Sequence, residues 1–445
     1  MHIVVHYHEI ALKGHNRWRF IRRLAQNLQH CLADVGHARV AKLSGRLVVS
    51  FSNAVPWQLA EERLRRVFGV ANFSRAHRHP LHVESLRPRL VETLRGETFA
   101  TFRVHTRRAF KNFPQTSLEI NRDLGDIIRR ELQRKVNLDH PDLTVFVEVV
   151  PGEILFYFKK HAGLGGLPVG VTGLVLGLIS GGIDSPVACF RMMRRGCTVT
   201  LLHFHSYPFH SKASQEKVEE LAELLTQYQY HTTLVMVPFG EIQRQVMLAV
   251  PAPYRIVIYR RLMLRIAARL AEQEGAKALV TGESLAQVSS QTLENLTVID
   301  RATEMPVLRP LIGMDKDEIC AQARELGSYE ISIQPDEDCC QLFMPERPVI
   351  ACTLGEIARA ESLLDVEALV GQGLAQVTRR FLSFPARSAP PIPRLEVGAV
   401  PAPAPRPAPP PTQLGDDRRQ PQHRDGGSTG QDAAAPLPAS HLPQV

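Results

Sequence analysis

Two short stretches hold residues whose types and spacing could do chemistry. The first is Ser180-Gly181-Gly182-Ile183-Asp184-Ser185, which follows an apolar run ending at Ile179. Paired glycines let a backbone turn tightly and aim its N–H groups into an anion-binding nest. Ser180 and Ser185 add hydroxyl donors, and a helix opening at Pro186 would add the dipole of its N-terminus. Asp184 could orient the loop or help hold a magnesium ion. This set suits the gripping of a phosphate chain, although the Walker spacing G-x-x-x-x-G-K-[ST] is absent.

The second stretch is "PDEDCCQLFMP" (335–345), where Cys339 and Cys340 stand side by side behind three acids. Metal ligation lacks a partner pair, because no two of the seven cysteines have C-x-x-C spacing. The cluster-binding sign of iron–sulfur proteins is missing for the same reason. A disulfide between adjacent residues would be strained, and burial fits poorly with the acids alongside. A reactive thiol fits best, since the thiolate is the nucleophile in sulfur exchange and a neighbouring thiol can resolve a persulfide. Cys352 is the fallback second thiol.

Other candidates lie where strands end. "LLHFHSYPFHS" (201–211) places His203 and Phe204 at a strand terminus, with His205 and His210 beyond them. With no carboxylate among these histidines, a stacking and hydrogen-bonding rim suits them better than a metal site. "VTGESLAQVSSQTLENL" (280–296) follows another strand; Gly282 permits close backbone approach and Gln291 could reach a ligand. Arg260 and Arg261 are candidates for phosphate charge.

The elements that must position these residues follow two patterns. From Leu174 onward, strands Leu174–Ile179, Thr198–Phe204, Thr232–Val237 and Ala278–Thr281 alternate with helices near Pro186–Arg195, Ser214–Gln227, Tyr254–Gln273 and Lys316–Leu326. Such alternation predicts an α/β fold, a parallel sheet covered by helices on both faces, with ligands at the carboxyl ends of the strands. The half before it reads as mixed α+β. Strands are expected at His2–Tyr7, Ala38–Leu43, Arg46–Phe51, Thr98–Arg103, Leu143–Val150 and 153–158. A helix over Asn16–Val35 should bury Trp18, Ile21, Leu24, Ala25 and Leu28 and leave Arg17, Arg22 and Arg23 mostly outside. "HAGLGGLPVGVTG" (161–173) reads as a Gly-rich linker between the halves. From residue 385 to 445 the composition collapses to Pro, Ala, Arg, Asp and Gln, which predicts a disordered tail.

Composition bounds the class of protein. The 445 residues can bury two or three cores. No apolar run reaches the ~20 residues of a membrane span, and no signal peptide opens the chain, so the cytoplasm is expected. Net charge is +8 with a pI near 9.2, which favours a polyanionic partner. The basic residues are concentrated, eight against one acid from Lys13 to Arg46, and again from Arg103 to Lys135. Such clusters suit either solvated helix faces or a nucleic-acid surface; for the second, the expected RNA contacts are Lys13, Asn16, Arg17, Arg107, Arg108 and Lys111.

The loop at 180–185 resembles the PP-loop, S-G-G-x-D-S, of ATP pyrophosphatases, which transfer AMP to a substrate oxygen. More widely, the chain resembles the tRNA 4-thiouridine sulfurtransferases of the ThiI type. The resemblance rests on "EIALKGHNRWRF" (9–20), "GLGGLPVGVTGLVLGLISGGIDSPVA" (163–188), "HFHSYPFHS" (203–211), "TGESLAQVSSQTLENL" (281–296), "RPLIGMDKDEI" (309–319) and "DEDCCQLFMPERP" (336–348). It implies a ferredoxin-like domain (1–55), a THUMP RNA-binding domain (56–162) and a PP-loop domain (163–384).

The activity implied is adenylation of uridine 8 of tRNA at its C4 oxygen, with ATP and Mg2+, then replacement of that oxygen by persulfide sulfur. By position, ATP contacts are implied at Leu178, Ile179, Ser180, Gly181, Gly182, Asp184, Ser185, His203, Phe204, Arg260, Gly282 and Gln291. Cys340 takes the catalytic place, with Cys339 as its neighbour and rival. Implied partners are tRNA, a cysteine desulfurase, a thiamine sulfur carrier protein and a second copy of the chain. The alternatives are another PP-loop nucleotide-modifying enzyme and a tRNA-binding protein without thiolation activity. Tyr7-His8-Glu9-Ile10 stands where the family often has "YGEI", and His210 replaces a small hydroxyl residue. No cysteine follows Cys352, so a rhodanese-type sulfur carrier is not expected.

Overall fold

The computed structural model describes residues 1–209, 211–335 and 345–385. His210, the Cys339–Cys340 pair and the tail from 386 onward lie outside the described residues.

Two sheets organise the chain. The first contains β1 (His2–His6), β2 (Ala38–Leu43), β3 (Arg46–Phe51), β4 (Asn72–Pro80), β5 (Thr101–Arg108), β6 (Lys135–Val136), β7 (Leu143–Val150), β8 (Glu153–Tyr157) and β9 (His161–Ala162). Its order is β2-β3-β1-β4-β8-β7-β5-β6, with β9 against β4. Helices α1 (Arg17–Cys31), α2 (Trp57–Arg65), α3 (Val83–Leu94) and α4 (Ser117–Leu132) bury their apolar stripes on this sheet.

Strand β4 is not apparent from the sequence, because "NFSRAHRHP" alternates weakly and is rich in basic residues. Tertiary pairing makes it. Its first half pairs with β1 (His2↔Ala76) and its second with β8 (His77↔Phe156), so one strand ties the two N-terminal units together. Helix α1 also departs from expectation. Trp18 lies in the first turn and is exposed, whereas Arg23 is buried against Gly170. The helix is covered on two sides, by its own sheet and by the second half of the chain, where Asn27 Nδ2 donates to Val169 O at 3.2 Å.

The second sheet contains β10 (Gly173–Leu178), β11 (Cys197–His205), β12 (His231–Pro238), β13 (Leu279–Val280), β14 (Val307–Leu308) and β15 (Thr378–Ser383). Its order is β14-β13-β10-β11-β12-β15. All neighbours are parallel except β15, which runs antiparallel to β12 along the edge. Helices α5 (Asp184–Arg194), α6 (Ala213–Gln229), α7 (Gly240–Ala249), α8 (Arg255–Glu274), α9 (Leu293–Asp300), α10 (Lys316–Leu326), α11 (Tyr329–Ser332), α12 (Leu354–Glu361) and α13 (Val366–Ala375) complete it. Helices α5, α6, α10 and α11 cover one face; α7, α8, α9, α12 and α13 cover the other. This is the doubly wound arrangement that the alternation predicts. Leu262 of α8 is fully buried, and truncating such a residue to alanine costs about 2–5 kcal/mol.

Residues 161–173 are not a free tether. Gly163 N donates to Ala71 O at 3.0 Å, Gly69 N to Gly165 O at 2.7 Å and Leu167 N to Arg194 O at 2.9 Å. A Cβ on Gly163 would lie 2.3 Å from Val70 O, and one on Gly166 would lie 2.4 Å from Arg194 O. These glycines allow backbone to pack on backbone, which pins the halves together. Half-buried Glu9 adds a bidentate pair to Arg195 (2.8 and 3.0 Å), and the Arg63 guanidinium stacks over Phe384 at 4.6 Å. No helix among the described residues is long and apolar enough to cross a membrane.

Candidate nucleotide site

Strand β10 continues to β11 on one side and has β13 on its other side, so the strand order reverses there. Clefts form at such switch points, beyond the carboxyl ends of the strands. A cavity of about 280 Å³ occupies this place. One end is polar, formed by Ser180, Gly182, Asp184 and Ser185; the walls include Leu178, Ile179, Leu202, Phe204, Met263, Leu264 and Ile299. Thr281, Gly282, Glu283, Arg260 and Gln291 close the third side.

The loop after β10 is tied to itself. Ser180 N donates to Ser185 Oγ at 2.9 Å, and Gly182 N reaches Ser180 Oγ at 3.3 Å. Ser332 Oγ supports the loop from α11 by donating to Gly182 O at 3.3 Å. Helix α5 begins at Asp184, two residues before Pro186, which still falls among the first-turn positions that need no N–H partner. Its positive dipole end faces the polar end of the cavity, the arrangement that attracts phosphate.

Gly282 earns its place by contact with the loop itself. A Cβ there would lie 2.7 Å from Ser185 N and 2.8 Å from Ser185 Cα. Gly177 in β10 is similar, since a Cβ would meet Cys189 Sγ at 2.7 Å. Gln291 is buried in the wall, and its Oε1 has no hydrogen-bond partner in the protein. A buried acceptor left open inside a cavity calls for a donor from a ligand.

Of the residues expected at this site, Leu178, Ile179, Ser180, Gly182, Asp184, Ser185, His203, Phe204, Arg260, Gly282 and Gln291 all line the cavity. Gly181 is buried in the loop but does not line it. His203 is almost fully buried, with Nδ1 3.0 Å from Ile179 O and Nε2 3.3 Å from Ser214 Oγ. Its ring links the end of β11 to the end of β10 and to α6. His205 is held neutral, its pKa lowered to about 4 by burial and by His203.

Arg261 does not face the cavity. It is buried, forms a bidentate pair with Glu361 (2.8 and 2.9 Å) and donates to Val298 O. Helical spacing puts it about 100° from Arg260, which does line the cavity. Cys352 is also structural: it is buried, its Sγ donates to Asn295 Oδ1 at 3.1 Å, and burial raises its pKa. A buried thiol held protonated is a poor sulfur relay.

Several residues with evident roles here carry no individual signal in the sequence. Lys316 Nζ lies 2.6 Å from Asp184 Oδ1 and Gln287 Nε2 lies 3.0 Å from Asp184 Oδ2, so two donors fix that carboxylate. Gln287 follows Ala286, a non-glycine residue at φ +62°. Glu283 in the cavity wall pairs at 2.8 Å with Arg309, which does not line the cavity. Each pairing joins segments distant in sequence, and only the fold reveals it.

The basic residues of the N-terminal half divide. Asn16, Arg17, Arg107 and Lys111 are exposed. Lys13 lies 3.7 Å from Glu9, and Arg17 donates to Ala11 O at 2.5 Å. Arg108 is committed to its own loop, donating to Phe113 O (3.0 Å) and Gln115 O (2.8 Å). Arg46 is buried with Glu148, which also accepts from Tyr157 Oη at 2.9 Å and lies 2.9 Å from His6 Nε2. Burial and Arg46 hold His6 down to about 4.

Comparison with known proteins agrees with this architecture. Residues 2–74 match the ThiI ferredoxin-like domain, 89–159 the THUMP domain, and 170–366 the model described as thiamine biosynthesis protein (ThiI). A probable tRNA sulfurtransferase of Thermus thermophilus is 43% identical over 390 residues, covering 87% of this chain and 95% of the relative. One from Moorella thermoacetica is 42% identical over 373 residues, covering 84% and 95%. A crystal structure of a 4-thiouridine synthetase–RNA complex with bound ATP superposes with a TM-score of 0.78. It is 34% identical and covers 86% of this chain and 99% of that one.

Proposed function

The chain belongs to the ThiI family of tRNA sulfurtransferases, and from that premise we propose that it adenylates uridine 8 of tRNA and converts it to 4-thiouridine. The observation that carries this reading is the cavity at the β10/β13 switch point. It joins an S-G-G-x-D-S loop and a helix N-terminus to an apolar slot with an unpartnered Gln291 Oε1. A triphosphate suits the polar end, and a purine amine suits Gln291 between apolar walls.

Uridine O4 attacks the α-phosphorus of ATP, pyrophosphate leaves, and the base carries AMP on its C4 oxygen. The outer sulfur of a cysteine persulfide then attacks C4 and AMP departs. Resolution of the resulting disulfide by a second thiol frees the thiocarbonyl and leaves an oxidised pair, which an external thiol reduces. Cys340 is the proposed persulfide carrier and Cys339 its neighbour; both assignments rest on sequence, since the pair is outside the described residues. Magnesium would arrive as the ATP complex. Asp184 is the single carboxylate in the loop that could join its shell, which suits an ion held largely by phosphates and water.

The proposed sulfur source is a cysteine desulfurase, and the proposed location is the cytoplasm. The exposed Arg17, Arg107 and Lys111 are the proposed tRNA contacts, together with Asn16 and Lys13; Arg108 would act by holding their loop. Supply of sulfur to a thiamine carrier protein is a secondary role the family description suggests. Pyrophosphate release tests the reading: it should require both ATP and tRNA. Release with ATP alone, or none with both present, would count against it.

A further inference from the structure

Glu283 follows Gly282 in the cavity wall and is only 5% exposed. An isolated carboxylate so buried would be costly, and burial alone would keep it protonated. It is instead surrounded by donors. Arg260 Nη1 lies 2.5 Å from Oε1, Arg309 Nε lies 2.8 Å from Oε2, and Thr281 Oγ1 donates to Oε2. The two guanidiniums outweigh burial and hold Glu283 below the usual carboxylate range.

The two arginines are not equivalent. Arg309 is satisfied elsewhere as well, with Asp300 bound at 2.5 and 3.0 Å, and it does not line the cavity. Arg260 lines the cavity, and Nη1 to Glu283 is its one side-chain hydrogen bond among the described residues. Its remaining donors are therefore available to a ligand. A guanidinium on a helix surface has several flexible torsions, and holding it before binding reduces the entropy lost on contact. Thr281 and Arg309 fix Glu283, and Glu283 fixes Arg260.

We infer that Glu283 is a positioning residue for nucleotide binding: it anchors one arm of Arg260 so that the other donors meet the anionic part of ATP. The inference rests on the reading above that this cavity holds ATP. It assigns Glu283 no contact with the reacting atoms; it acts through Arg260.

Calorimetric titration with MgATP, together with ATP-dependent pyrophosphate release, tests it on the full-length protein. Glu283→Gln and Arg260→Gln should each weaken ATP binding about tenfold, the size of a lost charge-assisted contact, with the larger share of the kinetic loss in KM. The double variant should be no weaker than the worse single one, because both changes break one unit. A merely structural Glu283 would lower the melting temperature but leave ATP affinity unchanged in the folded variant, and that result overturns the inference. Additive losses overturn it too. Should Glu283→Gln fail to fold, Glu283→Asp keeps the charge but withdraws the carboxylate by one methylene. It should weaken ATP binding, and wild-type affinity would overturn the inference. Wild-type protein that binds no ATP would sink the nucleotide reading and this inference together, whereas normal wild-type binding with an unaffected Glu283 variant sinks the inference alone.

Discussion

Gly282 and Ser185 meet backbone to backbone: a Cβ on Gly282 would lie 2.7 Å from Ser185 N. The turn after β13 is thus wedged against the first turn of α5, and the phosphate loop cannot be set without it. Gly282→Ala should push the loop away by several tenths of an ångström. Misplaced donors commonly cost on the order of 100-fold in rate, so ATP affinity and pyrophosphate release should both fall steeply. Circular dichroism should show a folded protein. Wild-type ATP affinity in the folded alanine variant would contradict the account.

Lys316 and Asp184 make a second cross-link, from the first residue of α10 to the loop, at 2.6 Å. Removing the ammonium leaves Gln287 as the remaining partner of that carboxylate. Lys316→Met should reduce tRNA-dependent pyrophosphate release on the order of 100-fold, the scale on which a misplaced group at a reacting site costs rate. The assay is single-turnover release at saturating ATP, and a rate within threefold of wild type would refute the role.

Cys352 is buried. Cys352, hydrogen-bonded to Asn295 with its pKa raised, is expected to serve packing. Sulfur incorporation into tRNA should survive Cys352→Ser and vanish in Cys340→Ser, while Cys340→Ser still releases pyrophosphate. Cys339→Ser should be milder. Loss of incorporation in Cys352→Ser alone would reverse the assignment.

Glu361 links α12 to α8 through Arg261 and Arg265. Burial opposes its ionisation, but hydrogen bonds and charge from the two arginines prevail and bring its pKa down to about 2. Its folded value is below the unfolded one, so its contribution is complete above about pH 4.5 and is lost as pH falls toward 2. Urea midpoints measured from pH 6 to pH 2 should drop through this window, and Glu361→Gln should flatten the drop. Parallel profiles for the two proteins would show that the pair does not control acid stability.

What was legible in the sequence was local. The strand–loop–helix run around Ser180–Ser185 announces a phosphate site, because glycines, serines and a helix start stand next to one another. The parallel sheet was legible from alternation. Strand β15 was not, since "TRRFLS" is exposed and becomes a strand by pairing with β12. Arg23 and Trp18 exchanged their expected environments because a second surface covers α1, which helical spacing alone cannot show. Arg261 and Arg108 looked like free cations, and their partners Glu361 and Phe113 became visible only through tertiary contacts or loop geometry. Glu283 was hidden within "TGES", where its charge has no meaning until Arg260 and Arg309 converge on it.

The central claim is that this cavity activates uridine 8 of tRNA for sulfur transfer. It is tested most directly by mass spectrometry of unmodified tRNA treated with the protein, MgATP, cysteine and a cysteine desulfurase. One added sulfur at uridine 8, as 4-thiouridine, is expected, and it should disappear when ATP is omitted or Asp184 is replaced by Ala. Unthiolated tRNA with a competent desulfurase, or sulfur at another nucleotide, would contradict it.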